Sequence, residues 1–279
     1  MAHPVTSDGV RLYHETTGSG TPVVFIHEFA GSSRSFDAQV RELRRNHRCI
    51  AFNARGYPPS DVPEPVDAYS QDRAAQDVIE LLEALQVERA HLVGVSMGAA
   101  AALQVALKFP QRVLSAVLVS IGTGSDAPAD TFQSSIEAIA ALIDAQGMAG
   151  LAAHMSNSPG RRKLREKEPE EFQRFIEQLS ALSARGAANT MRGVQKRRAP
   201  VYVYEQALAG LAVPLLVVHG ADDVECRKPC EFIARTVPGA RLEIVPDCGH
   251  AVNLEEPWRF NRLCASFMDR VDAAPEKHG

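Results

Sequence analysis

The stretch HLVGVSMGAAAALQVAL, from His91 to Leu107, places one serine between two glycines, after an apolar run and before an alanine-rich run. The apolar run is typical of a buried strand, and the alanine-rich run is typical of a helix, which Pro110 would end. Ser96, in the segment GVSMG, is therefore predicted at a sharp turn from strand to helix. Such a turn strains the serine backbone, favours small flanking residues and exposes the hydroxyl beside unpaired N–H groups of a helix N-terminus.

The same alternation of strand and helix recurs along the chain, which predicts an α/β fold with a mostly parallel, twisted sheet flanked by helices. A crossover helix is predicted in SQDRAAQDVIELLEALQ, with Ser70 as its N-cap. The predicted strands are PVVFIH (Pro22–His27), RCIAFN (Arg48–Asn53), AHLVGV (Ala90–Val95), LSAVLVS (Leu114–Ser120), PLLVVHG (Pro214–Gly220) and RLEIVP (Arg241–Pro246).

The alternation stops between about Asp126 and Gly210. The segments TFQSSIEAIAALIDAQG, LAAHM and EEFQRFIEQLSALS have helical patterns, and no strand is predicted there. This pattern predicts two units: an α/β core made of residues 1–125 and 211–279, and an inserted helical lid made of residues 126–210. Mixed charges in RRKLREKEPEEFQR indicate a solvated helical surface of that lid.

The composition limits the classes of protein to which the chain can belong. A chain of 279 residues with 45% hydrophobic residues can bury a sizeable core. A net charge of −4 provides no basic surface for nucleic acid, and no apolar run reaches membrane-spanning length by inspection, so neither partner is expected. The first residues, MAHPVTSDGV, lack the pattern of a signal peptide, and a cytoplasmic protein is expected. Monomer and homodimer both stay open.

The five cysteines are scattered and form no disulfide framework. Cys226 and Cys230 could form a metal site with His219 or His250, but zinc sites usually show tighter paired spacing and a fuller ligand set. Ordinary buried thiols are the favoured interpretation, and no metal is expected.

Two further loops contain the partners that a catalytic serine needs. A serine hydroxyl is a poor nucleophile at neutral pH and requires a histidine base that a carboxylate orients. Asp222 and Asp223 follow the strand PLLVVHG, and His250 follows the strand RLEIVP. Active sites gather at the carboxyl ends of parallel strands. A turn serine, a loop aspartate and a surface histidine are each an ordinary alternative, but together these placements favour a catalytic triad.

Over nearly its whole length the chain resembles the α/β-hydrolase superfamily, in particular its lid-bearing esterase and C–C bond hydrolase branch. The chain order serine, aspartate, histidine is that of this superfamily. The resemblance implies that Ser96 is the nucleophile, Asp223 the acid and His250 the base. Asp223 is preferred to Asp222 because it is third after Gly220, although the adjacent duplicate stays an alternative. The resemblance is found in HEFAG (His27–Gly31), ARGYPPSD (Ala54–Asp61), GVSMG, VPLLVVHGADD (Val213–Asp223) and CGHAVNLEEPWRFN (Cys248–Asn261).

The resemblance also implies an oxyanion hole made of the backbone N–H groups of Phe29 and Met97, whose side chains are candidates for the pocket floor. The chain departs from the pattern at Glu28, where relatives usually have glycine. A carboxylate aimed at the oxyanion would oppose it, so we expect Glu28 to turn away and bind loop N–H groups or an arginine, Arg34 or Arg55. In the alternative, Glu28 lines the pocket and repels anionic substrates.

The function implied by the resemblance is hydrolysis of a small-molecule carboxylic ester or related acyl compound through an acyl-enzyme, without a cofactor. A serine at position 96 argues against dehalogenase and epoxide hydrolase chemistry, which needs a carboxylate nucleophile. C–C bond, lactone and thioester hydrolysis stay open, as does a ligand-binding receptor with slow or no turnover. The lid is expected to shape the pocket and to move more than the sheet. Tyr202 and Tyr204 are pocket candidates on its return segment, with packing of the lid as their alternative.

Overall fold

A seven-stranded sheet forms the centre of the molecule, which a computed structural model describes from residue 3 to residue 274. The strands are ordered β1-β3-β2-β4-β5-β6-β7, and all neighbours are parallel except β1 and β3. The strands are β1 (His14–Thr17), β2 (Thr21–Ile26), β3 (His47–Phe52), β4 (Ala90–Val95), β5 (Val113–Val119), β6 (Leu215–Gly220) and β7 (Arg241–Val245).

The predicted fold class is confirmed, and the six predicted strands each lie within one residue of an observed strand. The sequence analysis missed β1, the antiparallel edge strand. This strand is short and mostly polar (HETT), and it pairs with β3 at the edge of the sheet. Four such residues contain no apolar pattern from which a strand could be predicted. This strand has no part in the strand ends discussed below.

Helices connect the parallel strands, as the sequence predicts. The predicted N-cap is present, because the Ser70 hydroxyl accepts a hydrogen bond from the backbone N–H of Arg73 at 3.0 Å. The helices are α1 (Asp37–Leu43), α2 (Gln71–Ala84), α3 (Met97–Lys108), α4 (Ala129–Ser156), α5 (Arg162–Lys167), α6 (Pro169–Ser180), α7 (Ala184–Thr190), α8 (Glu205–Ala209), α9 (Val224–Thr236), α10 (Val252–Glu255) and α11 (Pro257–Asp272).

Both faces of the sheet are covered, so the central strands β2, β4, β5 and β6 are mostly apolar. Successive residues of β4 point to opposite faces: Leu92 packs in a cluster that includes residues of α2, α3 and α9, and Val93 packs in a cluster that includes residues of α1 and α11. Burial on both sides holds the strands in register, and their carboxyl ends emerge at one edge of the sheet. The loops at that edge are thereby held in place.

The chain between β5 and β6 contains helices and no strand. Its apolar side chains, among them Ile143, Leu151 and Phe175, form a third cluster that also includes Phe29 and Met97 of the sheet's loops. The helical content of this segment agrees with the predicted insertion. The division into core and lid at residues 126 and 210 stays a prediction.

The helix α4 corrects one expectation from the sequence. By length and composition alone it is apolar enough to cross a membrane. In the structure, Gly147 interrupts it with φ of 62° and ψ of −159°, and residues such as Ile136 and Ala140 are buried in the third cluster. Less than half of the apolar stretch of α4 is buried in the structure.

Candidate active site

Ser96 lies where the structure turns from β4 to α3, with φ of 52° and ψ of −108°. Its backbone N–H donates to the Val119 carbonyl on β5 at 2.8 Å, which fixes the strained residue to the sheet. A Cβ atom on Gly98 would come within 1.9 Å of the Ile26 carbonyl oxygen, and one on Gly94 within 2.3 Å of the Gly98 carbonyl oxygen. The flanking glycines are required because three backbone segments meet there, as the sequence predicts for such a turn.

Asp223 and His250 are hydrogen-bonded to each other. The Nδ1 atom of His250 lies 2.9 Å from Oδ2 of Asp223. Burial opposes charge on both groups, but the mutual attraction outweighs burial: the pKa of Asp223 falls to about 2, and the pKa of His250 lies well above its usual value. An ionised Asp223 makes Nδ1 the proton-bearing nitrogen and leaves Nε2 free to accept a proton.

A close approach of two loops brings this pair together. The backbone N–H of Asp222 donates to the Cys248 carbonyl at 2.9 Å, and a Cβ atom on Gly220 would lie 2.1 Å from the Gly249 carbonyl oxygen. Glycine at position 220 therefore lets the loop after β6 touch the loop after β7. The side chain of Asp222 points elsewhere, toward Arg162 and Lys163 at 3.4 and 3.3 Å.

Sequence reasoning missed Glu255, which holds the loop that carries His250. This buried carboxylate accepts hydrogen bonds from the backbone N–H groups of Gly249 and Ala251, the two neighbours of His250. The bond to Ala251 measures 3.1 Å, and the Cys248 thiol donates to the same carboxylate at 3.3 Å. The signal in the sequence was a glutamate five positions after the histidine, within the segment CGHAVNLEEPWRFN.

The loop after β2 places Phe29 close to Ser96. Burial lowers the pKa of His27 to about 4, so His27 is neutral. Its Nδ1 donates to the Glu28 carbonyl at 2.7 Å, and its Nε2 accepts from the N–H of Ala54 at 3.0 Å. Within residues 3–274, the backbone N–H groups of Phe29 and Met97 have no protein acceptor. Both donors are thus available to a ligand, which is the requirement for the predicted oxyanion hole.

The partner of Glu28 differs from the one expected. Glu28 pairs with Arg161 rather than with Arg34 or Arg55: Nη1 of Arg161 donates to Oε1 at 3.1 Å, and Nη2 contacts Oε2. Both side chains are at least 95% buried. Arg55 instead binds Asp77 and Asp8, and Arg34 makes no ion pair within the described part of the chain. Arg161 precedes α5 and is 133 positions from Glu28, so proximity in sequence pointed to the wrong arginines.

A cavity of about 400 Å³ joins these groups. Ser96, Asp223 and His250 line one part of it, together with Phe29, Glu28 and Arg161. Other lining side chains are apolar and come from the segment between β5 and β6, among them Phe132, Ile136, Ile139, Met155 and Met191. The cavity is thus closed on one side by strand ends and on the other by helices of the insertion.

Three of the pocket candidates do not line this cavity. Met97 packs in the third apolar cluster instead. Tyr202 stacks edge-on against Phe232, with ring centroids 4.8 Å apart, and its hydroxyl binds the Asp126 carboxylate. Tyr204 packs against the same core cluster as Tyr202. The structure therefore places both tyrosines where the alternative interpretation, packing of the insertion on the core, expects them.

Cys226 lies behind His250, with its Sγ atom 3.9 Å from Nδ1. Its thiol donates to the Ser120 carbonyl at 3.2 Å, and burial raises its pKa, so the sulfur is a neutral thiol. Cys230 is likewise buried and faces the Ile121 carbonyl at 3.6 Å. His219 binds the Gly220 carbonyl at 2.8 Å and does not join these groups. The packing of both cysteines agrees with their interpretation as small apolar residues.

Comparison with known proteins agrees with this architecture. Residues 21–257 match the family model described as alpha/beta hydrolase fold. The chain is 26% identical to 3-oxoadipate enol-lactonase 1 of Acinetobacter baylyi, over 89% of each chain. It is 30% identical to a hydrolase from Pseudomonas aeruginosa, with a TM-score of 0.83 over 96% of this chain and 97% of that one. It is 25% identical to a thermophilic esterase from Thermogutta terrifontis, with a TM-score of 0.85 over 97% of each chain.

Proposed function

The chain belongs to the alpha/beta hydrolase family, and from this premise we propose that it is a serine hydrolase that cleaves a carboxylic ester or related acyl compound through an acyl-enzyme. The observation that carries the proposal is the meeting of a strained Ser96 with a hydrogen-bonded His250–Asp223 pair at one cavity. No side chain besides these three is needed for acyl transfer. The esterase and lactonase similarities support the same class of reaction.

In the proposed mechanism, Ser96 Oγ attacks the acyl carbon while Nε2 of His250 takes its proton. Asp223 holds the imidazole by Nδ1 and stabilises the imidazolium that forms. His250 then gives the proton to the leaving alcohol, which departs and leaves the acyl group on Ser96. A water molecule activated by His250 releases the acid and restores the serine.

The backbone N–H groups of Phe29 and Met97 would bind the oxyanion of the tetrahedral intermediate. Neither has a protein acceptor among the described residues, and Met97 is the first residue of α3, where the helix dipole favours negative charge. The carboxylate of Glu28 does not oppose this role, because Arg161 neutralises it. The departure from glycine at position 28 is thus compatible with catalysis.

Lactone opening is the second candidate, because the chain is similar to an enol-lactonase over most of its length. A lactone is a cyclic ester, and the same three residues would open it by the same steps. The difference would lie in whether the released alcohol stays attached to the acyl group. Contacts in the insertion, rather than the triad, would decide between linear and cyclic esters.

The proposal is tested with a fluorophosphonate probe and with short-chain p-nitrophenyl esters, for the wild type and for Ser96→Ala. We expect stoichiometric labelling and rapid turnover in the wild type, and loss of both in the variant. A lactone of similar size, followed by proton release, tests the second candidate. Labelling at Ser96 without turnover of any ester or lactone would contradict the enzyme and favour a ligand-binding receptor.

A further inference from the structure

Arg198 differs from the other cavity-lining cations in the partners that it has. Arg161 is paired with Glu28, and Arg162 and Lys163 are paired with Asp222. Arg198 also lines the cavity, but it makes no ion pair with any carboxylate among residues 3–274. Its guanidinium donates only to neutral acceptors, Oε1 of Gln195 at 2.7 Å and the Thr123 carbonyl at 2.6 Å.

The electrostatics of Arg198 agree with this difference. Burial lowers the pKa of Arg198. Arg192 shows the opposite case, because its carboxylate partners Asp144 and Glu137 raise its pKa. A guanidinium stays charged in proteins, so Arg198 is a cation without a counter-ion in its surroundings. Two of its five N–H donors are used by the protein, and the other three have no protein acceptor among residues 3–274.

The other carboxylates that line the cavity either bind other groups or do not change the pKa of Arg198. Asp223 is bound to His250, and Asp222 to two cations. Glu225 lines the cavity but is exposed to solvent, and it does not perturb the pKa of Arg198. Arg198 is half-buried, so part of its guanidinium is withdrawn from water without a counter-ion, and an anion from the ligand would offset that cost.

The backbone around Arg198 fixes its position. Residues Met191–Gln195 form a π-helical turn, a rare geometry that occurs often at functional sites, and both end residues line the cavity. The preceding helix α7 is pressed against the core: a Cβ atom on Gly186 would lie 1.9 Å from the Gly56 carbonyl oxygen. The hydrogen bonds from Arg198 to Gln195, the last residue of this turn, and to Thr123 hold the guanidinium in place before a ligand arrives.

We propose that Arg198, positioned by Gln195 and Thr123, forms a carboxylate-binding corner of the cavity, so that the substrate is an acyl compound with an apolar body and one anionic end. The inference rests on the proposed function, because the acyl group must reach Ser96 in the same cavity. The corner adjoins the reacting groups: the Thr123 hydroxyl contacts Sγ of Cys226 at 3.2 Å, and that sulfur contacts His250 at 3.9 Å. The Phe132 ring, 5.9 Å from the guanidinium, begins the apolar wall.

The test compares two activated esters of one length, mono-p-nitrophenyl adipate and its methyl ester, which differ in one negative charge at the far end. The measured quantity is the ratio of kcat/KM for the anionic ester to kcat/KM for the neutral one. Charge-assisted hydrogen bonds from arginine predict that Arg198→Met lowers this ratio about 10- to 100-fold, mainly through KM. Arg198→Lys keeps the charge but not the planar fork and should lie between the two.

Arg197→Met is the matched control, because Arg197 is the exposed neighbour that pairs with Asp67 and does not line the cavity. Its ratio should equal that of the wild type. A partly unfolded preparation lowers both rates equally and leaves the ratio intact, so poor folding of Arg198→Met does not imitate the effect. An unchanged ratio in Arg198→Met would overturn the proposal and leave Arg198 as a tie between the insertion and Thr123.

A binding measurement separates this inference from the proposed function. Calorimetry with monomethyl adipate, a monoanion, compares Ser96→Ala with Ser96→Ala/Arg198→Met. We expect the dissociation constant to rise about 10- to 100-fold in the double variant. Equal dissociation constants would overturn the carboxylate corner. If the wild type hydrolyses no ester yet this difference in binding is found, the proposed function fails while the anion site stands.

Discussion

The two walls of the cavity are built on different principles. The wall from the strand ends holds Ser96, Asp223 and His250 in loops fixed by the sheet's hydrogen bonds and by close backbone contacts at Gly98 and Gly220. The wall from the segment between β5 and β6 is made mainly of side chains on helices, and its charged groups, Arg161 and Arg198, bind residues that are far away in the sequence. The rigid strand-end wall is suited to holding the groups that react, and the helical wall is suited to selecting the substrate.

The largest expected effect concerns the strand-end wall. Replacing Ser96 or His250 with alanine should lower kcat at least about a thousand-fold, and the double variant should be little worse, because nucleophile and base act as one unit. The measurement is kcat on a short-chain p-nitrophenyl ester for the two single variants and the double variant. Losses that multiply in the double variant would mean that the two residues act independently, contrary to the proposed mechanism.

The neighbouring residues Asp222 and Asp223 provide a second test of the strand-end wall. Asp223→Asn should lower kcat about a thousand-fold or more, because the imidazole loses its orientation and its partner. Asp222→Asn should have a small effect, because Asp222 binds Arg162 and Lys163 and makes no hydrogen bond with His250. The reverse ranking would transfer the acid role to Asp222.

The pH dependence gives a second readout for the same pair. His250 must be neutral to accept a proton, so kcat/KM should fall as pH drops below its pKa, which Asp223 raises. Without that negative charge, burial has less to oppose it, and the pKa of His250 falls. The acidic limb of residual activity in Asp223→Asn should therefore move to lower pH, and the limb in Asp222→Asn should stay in place. A limb that stays in place in Asp223→Asn would contradict the assignment of the limb to His250.

Local motifs explain why the sequence predicted one wall better than the other. The turn at Ser96 depends on residues within the segment GVSMG, and the positions of Asp223 and His250 follow from their place after predicted strands. The contact between Arg161 and Glu28 depends on the path of the whole insertion, which no local pattern encodes. Arg198 was missed for the same reason, since an arginine that lacks a partner is recognisable only after folding.

The pair between Glu28 and Arg161 links the two walls, and its loss should be the third largest effect. Removing one partner of a buried ion pair leaves an uncompensated charge, so Glu28→Gln should lower the free energy of unfolding by about 3 kcal/mol. Arg161→Met should cost a similar amount, and the double variant should recover most of the loss. Urea denaturation measures these values, with Arg162→Met as the half-exposed control expected to cost less than about 1 kcal/mol.

The activity of the double variant Glu28→Gln/Arg161→Met distinguishes a structural role of Glu28 from a role in substrate choice, because Glu28→Gln alone leaves the Arg161 cation unpaired at the cavity. If the two charges only neutralise each other, the double variant should change kcat/KM equally for a neutral and an anionic ester of one size. A selective gain for the anionic ester would show that the Glu28 carboxylate repels substrate, which is the alternative drawn from the sequence. Such a result would give Glu28, which lines the cavity, a role in the choice of substrate besides its support of the oxyanion loop.

The smallest expected effects are those of the two tyrosines on the return segment of the insertion. Tyr202→Phe removes the hydroxyl that binds Asp126, a contact that, together with burial, raises the pKa of Tyr202 to about 12. The loss of one part-exposed hydrogen bond should lower the free energy of unfolding by about 1 kcal/mol. Tyr204→Phe should cost less, because its hydroxyl has no hydrogen-bond partner within residues 3–274.

Neither tyrosine ring lines the cavity, so in both variants the order of preference across a panel of esters and lactones should match that of the wild type. Thermal melts and kcat/KM on that panel check both expectations, and a changed substrate order in Tyr204→Phe would extend the helical wall beyond the cavity seen here.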